Sequence, residues 1–111
     1  MDVTERIQQQ LKSNRIVLFM KGTPDFPQCG FSAAVSRALA ACGAEFASVN
    51  IFEDPELREA LKRYSNWPTY PQLYVGGELV GGSDIITEMH QNGELQAALQ
   101  EAGAVEASEL R

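Results

Sequence analysis

In Cys29-Gly30-Phe31-Ser32 a thiol stands three residues ahead of a hydroxyl, where a second thiol would complete a Cys-x-x-Cys redox pair. Such a pair closes an internal disulfide and passes two electrons. A lone thiolate can only form a mixed disulfide with an outside thiol or bind a metal, so the other partner comes from elsewhere. The chain holds one further cysteine, Cys42, and one histidine, His90, too few for a four-ligand zinc site within one chain. If residues 30–41 form one helix, thirteen steps of about 1.5 Å part Cys29 and Cys42 by about 20 Å, against the roughly 4.4–6.8 Å of a disulfide. That distance also keeps Cys42 from sharing a metal with Cys29. Cys42 reads as a packing cysteine on an apolar stripe, and His90, beside Gln91-Asn92, as an exposed polar residue.

The elements that would position Cys29 follow from the apolar pattern. Val3, Ile7 and Leu11 predict an amphipathic helix over 3–13, and the unbroken Ile16-Val17-Leu18-Phe19-Met20 predicts a strand covered on both faces. Lys21 to Gln28, with two prolines and a glycine, is a loop that delivers Cys29. Positions 31, 34, 35, 38, 39 and 42 trace one helical face with Gly43 behind it, so Cys29 falls at a helix N-terminus. There the helix dipole and unpaired amides favour the thiolate, Lys21 adds positive charge, and Gly30 leaves the sulfur open.

A second strand is expected over 45–51, and a helix over 55–64 with Pro55 in its first position. Leu73-Tyr74-Val75 and Glu78-Leu79-Val80 around Gly76-Gly77 predict a hairpin. Helices over about 85–91 and 94–101 follow, and 104–111 reads as a frayed tail. The fold class is α/β: a four-stranded mixed sheet flanked by helices, in a single domain over 1–111 with its core at about 3–103.

With 111 residues, 44% of them hydrophobic, the chain has room for one real core and no second domain. Nine Lys and Arg against 15 Asp and Glu, a net charge of −6, leave no basic footprint for nucleic acid or an anionic membrane. No run approaches the ~18 apolar residues of a membrane span. The N-terminus, Met1-Asp2-Val3-Thr4-Glu5-Arg6, lacks a cationic or targeting extension, and the expected location is cytoplasmic.

Four blocks in order, Lys21-Gly22-Thr23-Pro24, Pro27-Gln28-Cys29-Gly30-Phe31-Ser32, Trp67-Pro68-Thr69-Tyr70-Pro71 and Gly81-Gly82-Ser83-Asp84, resemble the monothiol glutaredoxins of the Cys-Gly-Phe-Ser class, members of the thioredoxin fold. The resemblance covers residues 3–103. It implies a homodimer that bridges a [2Fe–2S] cluster, each subunit giving its Cys29 and holding one glutathione, with apo iron–sulfur proteins as recipients and a BolA-like protein as partner. It implies glutathione binding by Lys21 and Arg58 at the glycyl carboxylate. Arg58 alone, in Glu56-Leu57-Arg58-Glu59, also reads as ordinary surface charge.

Thr69-Tyr70-Pro71 matches the family's cis-proline turn, with Pro68 as the competing proline, and Tyr70 would serve through its backbone rather than its side chain. Ser83 and Asp84 would hold the γ-glutamyl end, or else simply cap a helix. Many relatives carry cysteine at the position of Ser83, so this chain has no second thiol there. Trp67 either shapes the glutathione groove or covers the sheet edge.

Three functions fit these residues: a cluster carrier, an oxidoreductase that removes glutathione from protein thiols with Cys29 as its catalytic nucleophile, and a binding module without chemistry. The loop Gly22-Thr23-Pro24-Asp25-Phe26 is longer than in the compact dithiol type, which favours the carrier.

Overall fold

The computed structural model describes residues 2–103; the tail expected over 104–111 lies outside them. Helix α1, Val3–Ser13, starts where Asp2 accepts the Glu5 N–H at 2.8 Å, and it buries Ile7 and Leu11. Strand β1, Ile16–Met20, is buried at all five positions. It lies inside the sheet order β2-β1-β3-β4, parallel to β2 (Ala47–Asn50) and antiparallel to β3 (Gln72–Val75), which pairs antiparallel with β4 (Glu78–Gly81). The mixed four-stranded sheet is therefore the one expected.

Alternation along β1 divides the core. Ile16, Leu18 and Met20 pack with Val35, Leu39 and Cys42 of the α2 region (helix Gly30–Ala41) and with Ile86, Leu95 and Leu99 of α4 (Ser83–Asn92) and α5 (Glu94–Glu101). On the other face Val17 and Phe19 meet Ile7 and Leu11 of α1 and Leu57, Ala60 and Leu61 of α3 (Pro55–Ser65). Each such buried aliphatic side chain contributes about 1.5–3 kcal/mol, so the β1 run is a main source of stability and a fixed floor for whatever stands at its ends.

Three expectations change in detail. Strand β2 starts at Ala47, and the chain turns at Ile51–Glu53 into a short 3₁₀ turn because the Asn50 side chain accepts the Phe52 N–H at 3.0 Å. Phe31 is 63% exposed rather than part of the buried face. It falls in the first turn of α2, beyond the sheet, and the face that meets the sheet takes in Ser32 and Ser36 instead. Helix α4 begins at Ser83, with Gly82 as N-cap and no side-chain cap, so capping does not account for Ser83 or Asp84. The hairpin forms as read, with Gly76 and Gly77 at φ 60° and 83°, values that suit glycine in a two-residue turn.

Candidate functional site

The site is built where β1 ends. Lys21 leaves the strand with its N–H donated to Ser32 Oγ at 3.0 Å, and its carbonyl accepts the Gln28 N–H at 2.9 Å. Gly22 and Pro27 form a bridge, and Thr23 and Phe26 exchange backbone bonds, so the loop is a closed hairpin and not slack chain. Gly22 is required there: at φ +93° a Cβ would lie 2.6 Å from Phe26 O and 2.7 Å from Gln28 N.

Cys29 follows as the N-cap of α2 in extended conformation, its carbonyl accepting the Ala33 N–H at 2.9 Å. Its sulfur makes no formal capping hydrogen bond and is half-buried. Its pKa lies below the ordinary thiol value, first because of the Ser32 N–H, with the Phe31 N–H, the Lys21 charge and the Ser32 hydroxyl assisting against desolvation. Ser32, where a resolving thiol would stand, is fully buried, and its hydroxyl ties β1 to α2. At the other end of the helix Cys42 is the C-cap, buried, with its pKa raised by burial. A whole helix thus separates the two free thiols, as the spacing required.

Sheet register brings the other blocks to the same end. Phe19 pairs with Gln72, so Pro71 lies level with the last residue of β1, and Leu73 pairs with Gly81, which sets Gly82 and Ser83 beside that turn. The Tyr70–Pro71 bond is cis, the only cis bond among the described residues, which settles the choice against Pro68. The Tyr70 side chain does matter: it is buried, and its hydroxyl donates to the Arg58 carbonyl at 2.6 Å, joining the turn to α3. Trp67 packs over the start of α4, since a Cβ on Gly82 would lie 3.2 Å from Trp67 Nε1 and 3.4 Å from Pro71 O.

Half-buried Ser83 and exposed Asp84 stand in the first turn of α4, where backbone N–H groups lack partners. Arg58, half-buried on α3, holds its guanidinium 5.5 Å from the centre of the Phe52 ring. Lys21, Cys29, Tyr70, Pro71, Ser83 and Asp84 therefore converge on one end of the sheet, with Arg58 reached through Tyr70.

Two residues beneath this end went unread in the sequence. Gln72 is fully buried, donates to the Trp67 and Thr69 carbonyls at 3.1 and 3.2 Å, and so holds the proline turn. A lone amide inside Pro71-Gln72-Leu73-Tyr74-Val75 was the available signal. Asn50 Oδ1 accepts the N–H groups of both Gly22 and Phe52, each at 3.0 Å. Among the described residues no three of His, Cys, Asp and Glu gather as a metal site, and no helix is long and apolar enough to cross a membrane. Recesses of about 460 and 690 Å³ open at the opposite end of the sheet around Ser13–Arg15, whereas the thiol end, with Cys29 and Ser83 half-buried and Gly30 and Asp84 exposed, forms a shelf facing solvent.

A family model described as Glutaredoxin matches residues 16–80. The chain is 55% identical over 105 residues to glutaredoxin 4 of Escherichia coli K12, covering 95% of this chain and 91% of that one. It is 54% identical over 96 residues to probable monothiol glutaredoxin 2 of Rickettsia felis, covering 86% and 92%. The crystal structure of a buckwheat glutaredoxin–glutathione complex superposes with a TM-score of 0.82 at 27% identity, over 93% of this chain and 92% of that chain.

Proposed function

The chain belongs to the glutaredoxin family, in its monothiol form and with the thioredoxin fold, and on that premise we propose that it binds glutathione and carries a [2Fe–2S] cluster shared between two copies. The observation that carries this reading is an activated, half-buried thiol at a place where, among the described residues, no three of His, Cys, Asp and Glu gather to hold a metal. An iron–sulfur cluster takes four ligands, usually thiolates. Cys29 from each of two subunits and one glutathione thiol held by each complete that set. Bound in this way the cluster is cargo, its coordination open enough for transfer to apo iron–sulfur proteins in the cytoplasm, with a BolA-like protein able to take the place of one subunit.

The arrangement of the shelf supports the tripeptide. Cations lie toward β2, the cis-proline turn leads into β3, and a helix start with an acid follows β4. The three strand spacings across the sheet come to about 14 Å, and an extended tripeptide with its charged ends spans roughly the same length. Lys21 and Arg58 take the glycyl carboxylate. Tyr70, turned outward before Pro71, offers backbone N–H and C=O to the cysteinyl unit. The first-turn amides at Ser83 take the γ-glutamyl carboxylate, and Asp84 pairs with the ammonium. These roles place the tripeptide sulfur beside Cys29.

The lowered pKa of Cys29 favours a second reading, removal of glutathione from protein mixed disulfides. The Cys29 thiolate would attack the glutathionyl sulfur and release the protein thiolate, and a second glutathione would then release oxidised glutathione and restore Cys29. Anaerobic reconstitution with iron, sulfide and glutathione separates the two. The carrier reading expects a coloured dimer from the wild type and none from Cys29→Ser. A colourless wild type with fast turnover of a glutathione mixed disulfide would replace it with the second.

A further inference from the structure

The two cations assigned above to the glycyl carboxylate stand on separate elements, Lys21 after β1 and Arg58 within α3, yet a carboxylate must meet both. The structure joins them through one side chain. Asn50 Oδ1 accepts the N–H of Gly22, the residue next to Lys21, and the N–H of Phe52, whose ring lies against the Arg58 guanidinium, each hydrogen bond being 3.0 Å long. Gly22 and Phe52 are thereby held within two hydrogen-bond lengths of each other. The other end of the amide donates to Glu53 Oε1 at 3.2 Å, which fixes the orientation of Asn50.

Gly22 cannot adjust on its own. It is buried at φ +93° with no room for a Cβ between Phe26 O and Gln28 N, so a shift of its amide moves Lys21 and the loop that ends at Cys29 together. The Phe52 amide likewise sets where the 3₁₀ turn presents its ring, and that ring is 46% exposed, outside the core. Asn50 itself donates and accepts no hydrogen bond from Lys21 or Arg58 among those described, so its influence runs through Gly22 and Phe52.

We infer that Asn50, acting through Gly22 and Phe52, is the positioning residue that sets Lys21 and Arg58 at the separation a single ligand carboxylate needs. The inference rests on the glutathione reading, and it makes Asn50 a determinant of selectivity for the carboxylate end and of nothing at the γ-glutamyl end.

The test is a titration of the reduced protein, followed by amide NMR, with glutathione and with its glycyl monoethyl ester, which keeps the thiol and the γ-glutamyl group but lacks the carboxylate. The wild type is expected to prefer glutathione by about tenfold, the scale of charge-assisted contacts on a partly exposed shelf. Asn50→Leu and Phe52→Leu are expected to lose most of that preference, with binding of the ester unchanged within about twofold. Should N50L fail to give a folded spectrum, F52L, a change at an exposed ring, carries the same expectation. Equal weakening of both ligands in the variants would show a merely structural role and overturn the inference, as would an intact preference. In both cases the glutathione reading stands. A wild type that binds neither ligand overturns that reading and this inference with it.

Discussion

The two ends of helix α2 carry the same atom in opposite circumstances. At the start, Cys29 is half-buried, faces backbone N–H groups and has its pKa lowered; at the finish, Cys42 is buried and has its pKa raised. Neither difference comes from the cysteine. Free amides at a helix start stabilise a thiolate, while burial raises the pKa of Cys42, whose sulfur lies 3.8 Å from His90 Nδ1. The helix therefore separates one reactive thiol from one packing thiol, and Ser32, at the position of a resolving thiol, serves the first by holding Lys21 in place.

Labelling with iodoacetamide gives the largest contrast. At neutral pH, in the folded protein, Cys29 is expected to react about a hundredfold faster than Cys42, because thiolate fraction and access both favour it. Cys29→Ser should remove the fast phase and Cys42→Ala should leave it. Ser32→Ala should move the midpoint of the fast phase to higher pH, since it removes one of the groups that lower the Cys29 pKa. Preferential labelling of Cys42 by mass spectrometry would overturn the division of roles.

A smaller contrast lies in the glycines flanking the helix. Gly22, in the loop before Cys29, and Gly43, just past Cys42, have φ values of +93° and +75°, so both favour glycine over a side chain. Only Gly22 is also enclosed, whereas a Cβ on Gly43 meets nothing within 4 Å. Gly43→Ala should cost about 1 kcal/mol, the conformational part alone, and Gly22→Ala about 2 kcal/mol or more. Denaturant midpoints at constant m-value measure both. Equal costs would mean that the loop before Cys29 relaxes freely.

Much of this was legible in the residues. The apolar run at 16–20, the stripe of α2, Gly76-Gly77 and Pro55 each carry a local signal strong enough to place an element, and the Cys29-to-Cys42 spacing along the helix expected over 30–41 excluded a disulfide. The parts that were not legible depend on contacts between distant segments. Phe31 fitted the helical stripe by period, but the period does not say where the packed face begins, and in the first turn of α2 the side chain is exposed. The hydroxyl of Tyr70 reaching the Arg58 carbonyl and Asn50 bonded to Gly22 join segments that no local window relates, and Gln72, though it bonds only three and five residues back, does so through a turn whose shape the sequence pattern does not give. Amide side chains at the ends of strands, Asn50 half-buried and Gln72 buried, were the hint, because an amide withdrawn from water must find partners.

The finest test of the comparison is the pH dependence of stability, where the two thiols oppose each other in sign. For Cys29 the folded pKa lies below the ordinary 9.0, so between the two values the unfolded chain holds more protons; its contribution is present above 9.0 and is lost as pH falls through the folded value. For Cys42 the folded pKa lies above 9.0, so its contribution is present below 9.0 and is lost as pH rises through the folded value. Tyr70 and Tyr74, each pushed up to about 12 by burial, add alkaline loss of their own, and subtracting a variant's melting curve from the wild type's cancels it. The wild-type advantage over Cys29→Ser should therefore grow with pH in the range below 9, while the advantage over Cys42→Ser should shrink above it. Two difference curves of the same sign would show that the ends of the helix do not set the two thiols apart.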